Sequence, residues 1–304
     1  MRVIARIYGG LGNQLFMYAF ARRLALAHDA ELVLDFSSGF TRDPFRRDYA
    51  LQHFHVPGRP ATNWESYSDS SGIPRRRAAR LANRFLPLAS RWYLHEQSQS
   101  YDPIILEPSR RRSLYLEGYW QQAEHTEAIA DVLRRDLQFS WQPGDALRRL
   151  GALLRDSPSV CVHVRQFGLP AEASGARQQE LSFSYYERAI AAVRHHIGVV
   201  DFYVFTEKPE CPVVAHLLAA GCRLAGNGVP SGSAITDFWL MTHCRHFIVA
   251  NSTFSWWAAW LGGEEASLVV APSRNRDILN LEFSTPIRWL SLPPCSMGSS
   301  DGLR

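Results

Sequence analysis

A chain of 304 residues with 46% hydrophobic content can bury one large core or two medium ones, which fits a soluble enzyme of two α/β domains. Five cysteines at positions 161, 211, 222, 244 and 295 are odd in number and lack Cys-x-x-Cys spacing, which argues against a disulfide framework and against a zinc site. The net charge of +4 is modest and carried almost wholly by arginine, Lys208 being the only lysine, and it gives no reason to expect a nucleic-acid partner.

The chain opens with Val3-Ile4-Ala5-Arg6-Ile7, then Gly9-Gly10-Leu11-Gly12-Asn13-Gln14, then a helical pattern through Leu15, Tyr18, Ala19, Arg22 and Leu26. This is a strand, a glycine turn and a helix. Asp35 ends the next apolar run, Leu32-Val33-Leu34, at about the distance expected of a ribose-binding carboxylate, so a nicotinamide-binding Rossmann unit must be considered. Its fingerprint fails at the third glycine. Gly10 and Gly12 could serve as the first two, but Leu15 stands where a small residue should allow close helix-strand packing. Asn13 and Gln14 instead offer amide groups suited to hydroxyl-rich ligands such as sugars.

Further along, Arg75, Arg76, Arg77, Arg80, Arg84 and Arg91 interleave with Leu81, Phe85, Leu88 and Trp92 at helical spacing. Such a stretch could rest on an anionic membrane surface. The alternative is a surface helix with a solvated basic rim, and Pro87 argues against one uninterrupted helix.

From about Ser159 strand and helix alternate. Strands are expected at Val160–Val164, Phe202–Thr206, Phe247–Ala250 and Leu268–Ala271, and helices at Phe183–His195, Cys211–Ala220, Phe238–His243 and Ser252–Leu261. Short connections between alternating elements imply a parallel sheet covered on both faces. The first of these strands ends in His163 and Arg165. Ligands bind at strand ends in such folds, and an arginine fork there suits a diphosphate, although pairing with a carboxylate on the sheet rim would also explain it. A histidine so placed is otherwise a satisfied core residue.

The segment Asn251-Ser252-Thr253-Phe254-Ser255-Trp256-Trp257 follows a buried strand and opens a helix that ends at Gly262-Gly263, residues suited to a left-handed cap. A helix start offers backbone N–H groups and a favourable dipole to an anion, with Asn251 or Ser252 as cap and further hydroxyls as donors. The plainer reading is a buried corner with Ser and Thr used only as caps. The tail over 293–304, rich in Ser and Gly, is expected to be poorly ordered. No apolar run reaches bilayer length and no signal peptide is evident, which points to the cytoplasm, with peripheral contact at the inner face of its membrane if the basic stretch is used.

Together these places resemble the bacterial α-1,2-fucosyltransferase family, of glycosyltransferase family 11 type. Gly9–Tyr18 is similar to its opening Gly-Gly-Leu-Gly-Asn-Gln segment, and Tyr115-Leu116-Glu117-Gly118-Tyr119-Trp120-Gln121 to its Tyr-Leu-Asp/Glu-Gly-Tyr-Trp-Gln stretch. His163-Val164-Arg165 resembles the start of its His-x-Arg-Arg-x-Asp donor motif, Asp201–Thr206 its next strand, and Asp237–Trp257 its C-terminal donor motif. The resemblance implies a GT-B-like α/β fold, two Rossmann-like domains facing a central cleft. The expected boundaries are 1–158 for an acceptor-side domain and 159–292 for a GDP-sugar-binding domain.

It further implies transfer of L-fucose from GDP-β-L-fucose, with inversion, to the 2-hydroxyl of a terminal β-galactoside on an oligosaccharide or lipid-linked glycan. No metal or other cofactor is expected, since the chain also lacks an Asp-x-Asp motif. Arg165 would neutralise the leaving diphosphate, Ser252, Thr253 and Ser255 would cradle its oxygens, and Asn251 would belong to the same donor-binding segment. Phe254, His163 and Asp237 would shape the nucleoside pocket, and Gly10, Gly12, Asn13 and Gln14 would lie near sugar and acceptor. Glu117 is the candidate general base, with Asp35 as a second. Gln166 and Gly168 depart from the second Arg and the Asp of the donor motif, and Thr206-Glu207-Lys208 replaces the family's common Ser-Asp-Asp. These departures leave open a related transferase using another GDP-sugar. A nicotinamide enzyme and a non-catalytic GDP-sugar sensor are the remaining alternatives, and nothing in the sequence indicates the oligomeric state.

Overall fold

The computed structural model describes residues 1–40, 43, 45–68, 71–96, 103–107, 112–166, 180–226, 233–273 and 283–294. Two compact units are present, Met1–Gln142 and Pro143–Arg304.

In the first unit five strands, β1 (Arg2–Arg6), β2 (Glu31–Asp35), β3 (Arg59–Pro60), β4 (Tyr93–His95) and β5 (Ser113–Glu117), form a sheet in the order β3-β2-β1-β5-β4. Every pairing is parallel. Helix α1 (Leu11–Ala27) follows β1 and is buried on nearly all sides, Leu15 included, which explains its apolar sequence. The turn between them needs glycine at Gly9, where φ is +78°, and not at Gly10, whose φ of −72° any residue adopts. Shorter helices α2 (Ser37–Phe40), α3 (Gly72–Arg84), α4 (Ala123–Glu127) and α5 (Ala130–Asp136) complete the unit. The basic stretch is broken as Pro87 requires, with α3 ending at Arg84 and a single 3₁₀ turn following at Leu88–Ser90.

The second unit holds α6 (Asp145–Asp156), β6 (Ser159–Val164), α7 (Phe183–Ile197), β7 (Asp201–Thr206), α8 (Pro212–Ala219), β8 (Arg223–Leu224), α9 (Ala234–Met241), β9 (His246–Ile248), α10 (Thr253–Gly262), β10 (Val269–Pro272) and β11 (Leu290–Leu292). Its sheet runs β8-β7-β6-β9-β10-β11, again with parallel pairings. Numbered within the unit this is the 3-2-1-4-5-6 order of a Rossmann sheet. All six residues of β6 are buried, as a strand covered on both faces must be.

The division between units falls at Gln142/Pro143, earlier than residue 158, because α6 packs on α9. Gly151 of α6 lies so close to Trp239 that an added Cβ would stand 2.4 Å from the indole ring. The glycines that end α10 also act by close approach. Gly263 is extended (φ −71°, ψ 128°), not left-handed, and a Cβ on Gly262 would lie 2.5 Å from the Thr242 carbonyl oxygen at the end of α9. Of the tail expected to be poorly ordered, residues 295–304 lie outside the described residues, as does Gly168.

Candidate active site

In a sheet of this order the crevice opens where the strand order reverses, at the carboxyl ends of the first strand and its neighbour on the other side. In the second unit those strands are β6 and β9. His163 and Arg165 lie at the end of β6, and the chain leaves β9 through Val249 and Ala250 into Asn251 and the start of α10. The topology thus brings the two donor-site signals of the sequence to one switch point. Two tyrosines of α7 hold the strand ends in place: the Tyr186 hydroxyl donates to the His163 carbonyl at 3.1 Å and that of Tyr185 to the Val249 carbonyl at 2.8 Å. Neither was singled out from sequence, because a Tyr on a helix face reads as core until its hydroxyl partner is known.

At the corner itself Ser252 is the N-cap residue of α10 with extended backbone, its own N–H donating to the Ala250 carbonyl. Ser252, Thr253 and Phe254 are half-buried, so they present the helix start to a ligand. Asn251 and Ser255 are buried. The Ser255 hydroxyl donates back to the Ser252 carbonyl at 3.2 Å, so its proton closes the turn and is not directed at a phosphate oxygen. The expected cradle therefore narrows to Ser252, Thr253 and the backbone of the first turn.

Phe254 forms an aromatic wall with His163 (ring centroids 5.8 Å apart) and Phe238 (5.1 Å). Burial, aided by the positive charge of Arg165, lowers the His163 pKa to about 3, so the imidazole is neutral. Its Nδ1 is buried without a hydrogen-bond partner among the described residues. An unsatisfied buried ring nitrogen carries a cost that a hydrogen-bonding group reaching it would relieve.

Arg165 forms an ion pair with Glu207, which follows β7. The carboxylate-paired alternative read from the sequence is thus realised in this state. Glu207 is 68% exposed against 31% for Arg165, so solvent screens the pair and a diphosphate can displace the carboxylate at small cost. Burial and the charge of Glu207 together raise the pKa of Asp237, near the start of α9. One arginine and two carboxylates therefore share this end of the sheet.

In the first unit the corresponding reversal lies between β1 and β5, and there most polar groups already have partners. Gln14, expected near a sugar, is buried with its amide committed: Nε2 donates to the carbonyls of Gly9 (2.8 Å) and Asp48 (2.9 Å), and Oε1 accepts from the Ala50 N–H (2.8 Å). It pins the 48–50 segment to the glycine turn. Asn13 is half-buried and its Oδ1 accepts from Gln121 Nε2 at 2.9 Å, which turns its amide toward the 119–121 stretch. That stretch is itself fixed by Glu96, whose carboxylate accepts from the N–H groups of Tyr119 (2.6 Å) and Trp120.

Asp35 is fully buried and accepts from the Ser38 N–H (3.1 Å), the Ser38 hydroxyl (2.7 Å) and the Tyr115 hydroxyl (2.5 Å). It has no oxygen to offer a ribose, which removes the support for a nicotinamide site, and none to act as a base. Glu117 is corrected in the same way. Its carboxylate accepts from Arg6 Nη1 (3.2 Å), Arg80 Nε (2.8 Å) and the Tyr93 hydroxyl, with Arg76 Nη1 at 3.6 Å. Burial alone would raise its pKa, but the hydrogen bonds from Tyr93 and Arg80 and the charges of Arg6 and Arg76 outweigh it and hold the pKa below the usual value. A carboxylate so held is a poor proton acceptor. No group of three His, Cys, Asp or Glu side chains placed to hold a metal occurs among the described residues.

Comparison with known proteins places this geometry in a family. The chain is 26% identical to an α-1,2-colitosyltransferase of Escherichia coli, covering 95% of this chain and 98% of that protein. It is also 26% identical to the O-antigen biosynthesis glycosyltransferase WbnK of the same organism, over 93% and 98% of the two chains. Among solved structures, the NodZ α-1,6-fucosyltransferase soaked with GDP-fucose is similar with a TM-score of 0.49, at 18% identity over 86% of this chain and 92% of that one. The Escherichia coli heptosyltransferase WaaC has a TM-score of 0.43, at 11% identity over 96% and 93%. The family model for glycosyl transferase family 11 matches residues 90–289, well over half of the sequence, and the chain belongs to that family.

Proposed function

We propose that this glycosyltransferase moves L-fucose from GDP-β-L-fucose to the 2-hydroxyl of a terminal β-galactoside, with inversion and without a metal, in surface-glycan synthesis at the cytoplasmic side of the membrane. The observation that carries the reading is the switch point of the second unit, where Arg165 and the α10 start meet in a chain of this family. The acceptor oxygen attacks the anomeric carbon as the bond to the diphosphate oxygen breaks. GDP leaves with the bonding electron pair, and the hydroxyl proton passes to solvent. Arg165 exchanges Glu207 for the diphosphate and stabilises the charge that grows on it, with Ser252, Thr253 and the α10 dipole assisting. Phe254 and neutral His163 pack against the nucleoside, and Asp237 accepts from its hydroxyls. Because the sugar departs with cationic character, little is asked of a base, and Glu117 supplies none.

A second reading, a different GDP-sugar donor, is favoured by one relative being named a colitosyltransferase and by Gln166 and Gly168 at altered donor-motif positions. Both readings are tested by transfer from labelled GDP-L-fucose and other GDP-sugars to a panel of β-galactosides, with and without EDTA. Fucosylated product in EDTA supports the first, and product from another donor alone supports the second. GDP binding without turnover from any donor would leave a sensor.

A further inference from the structure

Helix α3 is built the wrong way round for a surface helix. Its buried positions are Gly72, Ala79 and Asn83, two small residues and an amide. In its last two turns the large apolar side chains point outward: Leu81 is 59% exposed and Phe85, which caps the helix, 78%. These two share one face with Arg77 and Arg84, since positions 77, 81, 84 and 85 recur at three- and four-residue spacing. Trp92, 42% exposed, is held beside the last turn because Asn83 Oδ1 accepts its backbone N–H at 2.8 Å. Among the described residues none packs on Leu81 and Phe85 closely enough to bury them.

The charge on this face has one sign. Residues 71–92 include six arginines and no acidic residue. Two of the six, Arg76 and Arg80, turn inward to Glu117, and Arg91 donates to the Leu86 carbonyl. Arg77 and Arg84 remain outward, exposed, and make no ion pair among the described residues. A partner for this face must offer apolar depth for two or three side chains and negative charge at its rim.

We propose that the α3 face of Arg77, Leu81, Arg84 and Phe85 docks on an anionic phospholipid surface. A bilayer interface meets both demands: it accepts Leu and Phe at the acyl boundary and arginine guanidinium groups against lipid phosphates. The binding is weak and salt-dependent, since one helical face of two large apolar residues and two arginines anchors reversibly. The inward use of Arg76 and Arg80 fixes the helix on its own unit, so the docking face is presented without folding on contact.

Co-sedimentation of the full chain with vesicles of phosphatidylcholine containing about one-third phosphatidylglycerol tests this, with pure phosphatidylcholine as the control. Binding is expected to the anionic vesicles only and to fall as salt is raised. The Arg77→Glu/Arg84→Glu and Leu81→Ser/Phe85→Ser variants should each bind at least about tenfold more weakly, from roughly fivefold per arginine near the surface. Folding is checked by an unchanged thermal midpoint, which these exposed positions should not move. No binding by the wild-type chain, or equal binding by folded variants, overturns the proposal. So does light scattering that shows a dimer in the wild type and a monomer in Leu81→Ser/Phe85→Ser, because the face would then be covered by a second copy.

Discussion

Replacing Glu117 with Gln should destabilise the first unit far more than it slows transfer. The Glu117 side chain is 4% exposed and lies among Arg6, Arg76, Arg80 and the Tyr93 hydroxyl. Glutamine keeps the shape but removes the charge that balances three guanidinium groups, and it turns an NH₂ toward donors that need an acceptor. Breaking a buried ion pair from one side costs about 3–5 kcal/mol. The lower end applies here, because Arg80 is 38% exposed and solvent takes up part of its charge. For a unit of 142 residues the unfolding entropy is about 0.3 kcal/mol/K, so ~3 kcal/mol lowers its midpoint by about 10 °C.

Calorimetry on wild type and variant measures the midpoint, and single-turnover transfer below the variant's transition measures the chemistry. A general base would be worth about 10²–10⁴ in rate. The expected result is a midpoint about 10 °C lower with transfer within tenfold of wild type. An unchanged midpoint with a hundredfold loss of rate would refute the structural assignment and restore Glu117 as the base.

Arg165→Ala should remove at least ~2.7 kcal/mol of transition-state stabilisation, the effect of deleting one anion-stabilising donor, and near-normal kcat/KM would sink its role. Glu207→Gln should lower the donor KM about twofold to fivefold, the worth of an exposed ion pair no longer competing with the diphosphate; a raised KM would mean Glu207 itself contacts the donor. His163 and His125 are buried with pKa values lowered to about 3, chiefly by burial, so below pH 6.5 the unfolded chain binds protons that the native chain refuses. Native stability is whole above 6.5 and falls by about 1.4 kcal/mol per pH unit for each histidine down to pH 3, giving a loss of roughly 4 kcal/mol at pH 5 from the pair. Urea unfolding at pH 7.5 and pH 5 checks this, and equal stability at the two would refute it. Gly262→Ala should cost about 1–3 kcal/mol, because the new Cβ meets the Thr242 carbonyl and cannot be relieved by a rotamer; an unshifted midpoint would show that α10 can slide away from α9.

What the sequence made legible was whatever repeats along the chain. The run from Val160 to Val164 is apolar throughout because the strand is covered on both faces, and the first helix of the chain announces itself by a glycine turn whose strain is local to Gly9. The corner of His163, Arg165 and the α10 start was legible for the same reason: cap, hydroxyl and arginine each stand within a few residues of a strand end. What remained hidden depends on partners distant in sequence. Gln14 looks like a sugar ligand until Asp48 and Ala50 are seen to consume its amide, and Glu117 looks like a base until Arg6, Arg76 and Arg80, from two other elements, close around it. A side chain's chemistry can be read from its type, but its availability cannot.

That distinction separates the two switch points. In the first unit Asp35, Glu117 and Gln14 are saturated by internal partners, and such a network rigidifies the sheet edge and resists exchange of those partners for a ligand. In the second unit His163 has a buried ring nitrogen without a hydrogen-bond partner among the described residues, and the carboxylate paired with Arg165 is mostly in water. Under-commitment has a cost in the free protein that ligand binding recovers. On the proposed function the loss is small, because the Arg165–Glu207 pair is exposed, and the gain is large, because a diphosphate carries more charge than one carboxylate and would reach the α10 start as well. On the proposed function Glu207 would act as a gate on Arg165, pairing with the guanidinium until an anion of higher charge takes it. Glu207→Gln and Arg165→Ala should therefore move the donor KM in opposite directions, and a common direction would mean that the two side chains do not compete for one site.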